Sequence, residues 1–456
     1  MNMHSSFKLL VSGLLLTGFT SLLCIDIKAQ STSKYGKSKP VSTYSTDVLD
    51  QWMAMQIRLM SSTIANFNGP FIRVYAYSSI AAYLSVCHGL PSHSPYRLLT
   101  DRFNHAPEFP LPEKGKSYYW PASLNAAMGN INRVMFRTTN YLNKAAIDSL
   151  ENLLFKKFSN ESDAATLERS AAFGQNVANK VFDWAEIDGY RLANDPFAVP
   201  SGPGKWEPTP PSFARPVTPH WGKLRTMVRN SIENTAPPPP PPYSEDTASD
   251  FYKMIRPVYD ASQNLTDEQR AIALFWRDIN PGLTAPGHWL NVLRQLFRDE
   301  KSGTRLDKAV FAWALSGISL NDTWITCWKT RYEHNLMRPV TYIQKVMGYK
   351  EWQPFIVTPP HPEYTAGFAA MAGAITQSLT EVYGEHYSMT DHTYDYLGMN
   401  PRTFTSFTAM AEEAGMSKFL GGIHYKISID MGLWQGREVA RNIARQLTGL
   451  QKQARR

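Results

Sequence analysis

Apolar residues recur at helical spacing along most of the chain. From Thr46 to Ala65, the residues Val48, Leu49, Trp52, Met55, Ile57 and Met60 form a stripe close to one helix face. Asn143 to Phe158 repeats the pattern with Ala145, Ile147, Leu150, Leu153 and Leu154. A further repeat carries Phe173, Val177, Val181 and Trp184, and Asp188-Gly189 supplies a stop. Leu265 to Ile279 opens on Thr266-Asp-Glu-Gln269, a capping-box signature whose side chains satisfy the first-turn amides. Asp307 to Thr330, Thr365 to Tyr383, Thr403 to Gly415 and Asp430 to Leu450 complete the set. No sustained alternation calls for a large sheet. The pattern predicts an all-α fold, a bundle of about ten helices.

Two irregular stretches interrupt the helices. Pro200 to Pro219 contains Gly202-Pro-Gly-Lys-Trp206 and Pro208-Thr-Pro-Pro211, and six prolines run from Pro237 to Pro242. Such proline density suits a linker with polyproline character. Trp206, Phe213 and Trp221 instead point to an ordered loop packed across the bundle. The expected organisation is therefore an N-terminal helical part over 30–200, a Pro-rich connection over 201–243 and a C-terminal helical part over 244–456. Together they read as one continuous domain from 30 to 456.

Composition narrows the class. Apolar residues are 43% and charged residues 19% of the 456, enough for a sizeable core. The formal charge is +8, and no run of five or six basic residues occurs. A small anionic substrate suits that balance better than nucleic acid. Lys8, the apolar run from Leu9 to Leu23 and Ile27-Lys-Ala29 read as a secretory signal over 1–29. Its removal takes away Lys8, Lys28 and Asp26, a net +1, leaving +7. The expected location is periplasmic or extracellular. No stretch is long and apolar enough for a transmembrane segment. After cleavage only Cys87 and Cys327 remain, read as two buried thiols rather than a disulfide framework.

Three segments carry the chemistry. Arg331 and Arg338 lie seven residues apart, two turns of a helix, so on one helix they would share a face, with Pro339 ending it or turning the chain. Guanidinium forks suit oxyanions because they donate paired hydrogen bonds. Next, Pro359-Pro360 and Pro362 precede a helix start near Thr365. Its free amides make an anion site, and Gly367 lets the backbone come close. Finally, His424 follows Gly421-Gly422, with Lys418 six residues upstream. An imidazole there can act as nucleophile or ligand while the cation stabilises charged oxygens. The combination outlines a pocket for a tetrahedral oxyanion.

In this order the segments resemble the vanadium-dependent haloperoxidase and type 2 phosphatidic-acid phosphatase superfamily, whose pattern is roughly K-x6-R-P, P-S-G-H and S-R-x5-H-x3-D. Phe173-Gly-Gln175, Gly202 to Pro211, Asn264 to Trp276, Pro286-Gly-His-Trp289 and Leu320-Asn-Asp322 extend the likeness to its exported bacterial branch. The resemblance implies a large helical bundle with long ordered loops around an oxyanion site. His424 would be the axial vanadate ligand or the nucleophile. Arg331, Arg338, Lys418 and the Gly367 N–H would bind the oxygens. The implied cofactor is vanadate, with peroxide-dependent halide oxidation as the reaction, or phosphomonoester hydrolysis through a phosphohistidine.

The departures are specific. Arg331 stands where the family has lysine, and Lys418 where it has arginine. Exchanging arginine for lysine at a bidentate contact loses a hydrogen bond worth ~1–2 kcal/mol. The serine and histidine of P-S-G-H are Ala366 and Phe368, and the final aspartate is Ser428, with Asp430 two residues on. General acid–base assistance contributes about 10²–10⁴-fold, and a phenyl ring carries no proton. His361, seven residues earlier, is the available substitute. Two other readings follow: a degenerate member that binds an anion or partner without turnover, and a helical scaffold that docks through Pro237–Pro242.

Overall fold

The computed structural model describes residues 38–63, 69–92, 94–279 and 281–448, so the segment 1–29 expected to be a signal peptide lies outside the described residues. These residues contain thirteen α-helices: α1 (Asp47–Ser62), α2 (Gly69–Leu84), α3 (Trp120–Met135), α4 (Tyr141–Phe158), α5 (Ala164–Glu186), α6 (Asp250–Gln263), α7 (Asp267–Phe275), α8 (Ala285–Arg298), α9 (Leu306–His334), α10 (Pro339–Lys345), α11 (Gly367–Tyr383), α12 (Phe407–Leu420) and α13 (Lys426–Leu447). The two short strands β1 (Met389–Asp391) and β2 (Arg402–Phe404) pair antiparallel, with Thr390 opposite Thr403. The fold is all-α.

Local chemistry explains the helix ends. Thr266 accepts from the Gln269 amide, and the Gln269 side chain returns a bond to the Thr266 amide, which closes the capping box that opens α7. Helix α5 runs to Glu186, and Gly189 (φ 94°) takes the left-handed turn that follows. The helix expected from Thr403 begins only at Phe407, because Thr403 sits in β2 and Ser406 caps α12. Helix α13 starts at Lys426, four residues before the expected Asp430. Helix α2 has no polar face, since every residue except Pro70 is buried. With no contrast between its faces, periodicity could not reveal it.

Helix α9, buried over most of its length, runs against α2, α11 and α13. Helices α11 and α13 approach most closely at Gly436, where an added Cβ would sit 2.1 Å from the Ala370 carbonyl oxygen. The Pro-rich stretch is anchored on this assembly. Trp206 and Trp221 are buried, and the Tyr364 hydroxyl donates to the Pro238 carbonyl at 2.6 Å. Cys87 and Cys327 are both free thiols. Cys327 is buried and Cys87 partly so.

Candidate functional site

Helix α9 ends at His334, and Asn335 (φ 51°) turns the chain left-handed with its amide bonded to the Arg331 carbonyl. Arg338 is the N-cap of α10, and Pro339 occupies that helix's first position. The expectation that both arginines share one helix face is therefore wrong. Asparagine tolerates the left-handed conformation and ends α9 before the second turn needed to reach Arg338. The turn nevertheless brings the two guanidinium groups to one imidazole. Arg331 Nη1 lies 2.6 Å and Arg338 Nη2 2.9 Å from His361 Nδ1.

Arg338 is held on every side. Its Nε donates to the His361 carbonyl at 2.9 Å and its Nη1 to the Ile423 carbonyl at 2.9 Å, with His424 Nε2 at 3.3 Å. Arg331 is fully buried and bonds the Pro362 carbonyl and His361, yet its Nε and Nη2 have no partner among the described residues. Beside it, α11 begins at Gly367 after Ala366, whose side chain cannot cap the helix. A Cβ at Gly367 would come within 3.3 Å of Arg331 Nη2 and 3.2 Å of the Trp328 ring. Glycine thus keeps a cradle open between the amides and the guanidinium.

His424 follows Gly422 (φ 78°), in the turn that links α12 to α13. Its Nδ1 lies 2.6 Å from Glu363 Oε1, which also accepts from the Tyr425 amide at 3.0 Å. Ser428 donates to Glu363 Oε2 at 2.5 Å. Where the resemblance leads one to expect an aspartate, Ser428 on α13 and the carboxylate of Glu363 from another segment meet instead. Asp430 does not serve, because it pairs with Lys426 on the surface. Glu363 was passed over in the sequence, although a lone acid in the His361-Pro-Glu-Tyr364 run beside the helix start was a usable signal.

Lys418, on the last turn of α12, donates to the Trp276 carbonyl and sits 3.7 Å from the Phe368 ring centroid. The Phe368 ring therefore serves as a cation–π partner. Behind it lies a second unanticipated cluster. Buried His288 bridges Asp278 (2.7 Å) and Asp391 (2.8 Å), and the Tyr394 hydroxyl donates to Asp278 Oδ1 at 2.8 Å.

These elements enclose a cavity of about 460 Å³, lined by Arg331, Gly367, Lys418 and His424 together with His361 and Phe368. The five residues expected from the sequence gather at it, with Arg338 just behind the wall. His361, which the sequence left without a position, is in the wall itself. Burial and the repulsion of Arg331 bring the Arg338 pKa down to about 9. Burial brings Lys418 to about 8, against the pull of Asp278. Glu363 is pushed up to about 7 by burial, with Arg338 opposing. Burial and the two arginines hold both His361 and His424 well below the usual histidine range. The site is thus a buried cationic cluster with neutral imidazoles, a charge state that an entering anion relieves.

The family described as VCPO second helical-bundle domain matches residues 311–453, a span that includes all these cations and both imidazoles. The crystal structure of the first bacterial vanadium-dependent iodoperoxidase matches with a TM-score of 0.78 at 29% identity, covering 90% of this chain and 99% of that one. An apo-type structure of a bacterial vanadium-dependent chloroperoxidase matches at 13% identity and a TM-score of 0.59, covering 85% of this chain and 94% of its own. The holo-type structure gives 14% and 0.58, with 86% and 94% covered. These last two show likeness of fold. None of the curated proteins matches.

Proposed function

We propose that this chain, which belongs to the vanadium-dependent haloperoxidase superfamily, binds vanadate at the Arg331–His424 cavity and oxidises halide with hydrogen peroxide. The observation that carries this reading is the Glu363–His424 pair at a cavity where buried Arg331 keeps two N–H groups without a partner among the described residues. The residues fit the group. Arg331 keeps unpaired N–H donors, Gly367 leaves the cradle open, and the N-terminus of α11 has no side-chain cap. The similarity to the bacterial iodoperoxidase points to the same chemistry.

Each residue has a role. With Glu363 accepting its Nδ1–H, His424 would hold vanadate through Nε2, which faces Arg338 at 3.3 Å. Arg331 and Lys418 would neutralise the oxygens directly, Arg338 would add positive charge from behind the wall, and the Gly367 amide would add a donor. Vanadate, when bound, supplies the Lewis-acid centre at which peroxide is activated. His361 replaces the proton-handling group that Phe368 cannot provide. Its Nδ1 accepts from both guanidinium groups, so its proton rests on Nε2, which has no protein partner among the described residues. That N–H would be placed to donate a hydrogen bond to an oxygen of a bound anion.

Calorimetry of the mature chain with vanadate and phosphate, repeated on His424→Ala, tests the site. Vanadate binding lost in the variant, with vanadate-dependent bromide or iodide oxidation in the wild type, is the expected result. Binding of neither anion overturns the reading. Binding without turnover identifies a degenerate anion-binding member, and phosphate release from a generic ester that needs His424 identifies the phosphatase alternative.

A further inference from the structure

Among the described residues, Asp278 is the one acid that lines the cationic cavity. It lies between α7 and α8 with a left-handed backbone (φ 52°), a conformation that few side chains other than asparagine and aspartate adopt. Residues held this way cluster at functional sites. An acid beside an anion site also weakens anion binding by repulsion, so its presence calls for a reason. Lys418 does not supply one. Asp278 forms its ion pair with His288, while the Lys418 ammonium meets the Trp276 carbonyl and the Phe368 ring.

The two carboxylates around His288 are satisfied unequally. Asp391 Oδ2 lies 2.8 Å from His288 Nε2, and its Oδ1 accepts from Gln295 at 3.0 Å and from the Thr393 amide at 2.9 Å. Asp278 Oδ1 lies 2.7 Å from His288 Nδ1 and accepts from the Tyr394 hydroxyl at 2.8 Å. Asp278 Oδ2 is buried and has no partner among the described residues. Buried acceptors are normally satisfied, and the unmatched one belongs to the residue that reaches the cavity. The clamp behind it is rigid. Trp276 stacks on the imidazole at 4.7 Å between centroids and 19° between planes. With a carboxylate on each ring nitrogen, His288 donates from both.

We propose that Asp278 Oδ2 is the acceptor that seats hydrogen peroxide beside the oxyanion site, with His288 and Asp391 as the residues that position it. The inference rests on the reading given under Proposed function and adds a binding residue for the oxidant. Peroxide is neutral, so cations that draw in an oxyanion do little to select it. What it offers is O–H donors, and an ionised carboxylate oxygen is the strongest acceptor for them. One O–H donates to Oδ2, and no proton leaves the peroxide in this contact. The Tyr394 and His288 donors hold Oδ1, which leaves Oδ2 to face the ligand.

Asp278→Asn tests the assignment. Its amide oxygen keeps the His288 and Tyr394 donors, so an NH₂ group replaces the acceptor at the cavity. At saturating vanadate the KM for peroxide should rise about tenfold or more, the loss of one charge-assisted hydrogen bond, while the KM for bromide stays unchanged. Without vanadate, the variant should bind inorganic phosphate at pH 6 at least as tightly as the wild type, since a like charge has gone. Asp391→Asn, altered outside the cavity, should raise the peroxide KM in the same direction by less, and it decides the matter if Asp278→Asn does not fold. An unchanged peroxide KM in the folded variants overturns the inference, gives Oδ2 to a buried water and leaves the oxyanion site standing. Peroxide and bromide KM rising together, with phosphate binding lost, also overturns it, because the cluster then serves the fold alone. If the wild type binds phosphate but oxidises no halide, the haloperoxidase reading and this inference both fall.

Discussion

Glu363 Oε1 lies 2.6 Å from His424 Nδ1, joining residues 61 positions apart in a pair with no solvent between them. The carboxylate fixes which nitrogen of His424 carries the proton, and hence which one is free to bind. Exchange for a neutral amide breaks that control while keeping the volume. Glu363→Gln is expected to weaken vanadate binding by about 10–100-fold, the usual range for a partner of a metal-bound histidine. Calorimetry reads this directly, and an unchanged affinity would show that the pair is structural.

His361 is the imidazole fixed by both arginines. His361→Gln should lower peroxide-dependent halide oxidation by about 10²–10⁴-fold, while vanadate affinity changes far less. Adding Phe368→His to that variant should restore part of the rate, because an imidazole returns to the same cavity. Steady-state rates and affinities on the three proteins separate proton handling from binding. Equal losses of both would assign His361 to binding alone.

Burial sets the Lys418 pKa at about 8, below its ordinary 10.5. The cation is present below that pH and lost above it, so phosphate affinity should fall as pH rises from about 7 to 9. Lys418→Gln should bind about 10–100-fold more weakly at pH 7, the span of a charge-assisted hydrogen bond. Its affinity should also vary less over the same window. The unfolded chain keeps this proton to higher pH, so Lys418 by itself makes the fold more stable as pH rises through that range. Parallel titrations of the two proteins would refute the assignment.

Burial alone would pull the His288 proton off, but Asp278 and Asp391 together raise its pKa from 6.5 to about 10. A raised histidine contributes stability that is complete below about pH 6.5 and lost as pH rises through about 10. His288→Phe leaves two buried carboxylates facing each other without their cation, a change expected to cost about 3–5 kcal/mol. Denaturant unfolding at pH 6 and pH 10 checks both statements. A variant as stable as the wild type at pH 6 would mean that the cluster is not ionised.

Amphipathic spacing was enough to read the all-helical class, because helices such as α1, α4 and α5 keep a polar face toward water. The Thr266–Gln269 capping box was equally legible, since every atom it needs lies within four residues. Helix α2 was not, because burial on all sides erases the contrast that periodicity depends on. Arg331, Arg338, Gly367, Lys418 and His424 could be picked out as residue types at family spacing. Their number and charge called for an anion before any geometry was known.

Only the tertiary structure decided how those residues meet. A left-handed Asn335 ends α9 between the two arginines, leaving Arg338 at the N-cap of α10, and returns both to one imidazole. The cavity wall receives His361 from a proline-bounded turn, and Glu363 from the same turn reaches the His424 loop. Charge and hydrogen-bonding capacity belong to the side chain and can be read from its letter. Which donor faces which acceptor depends on packing between segments far apart in the chain, and a linear pattern carries no record of that distance.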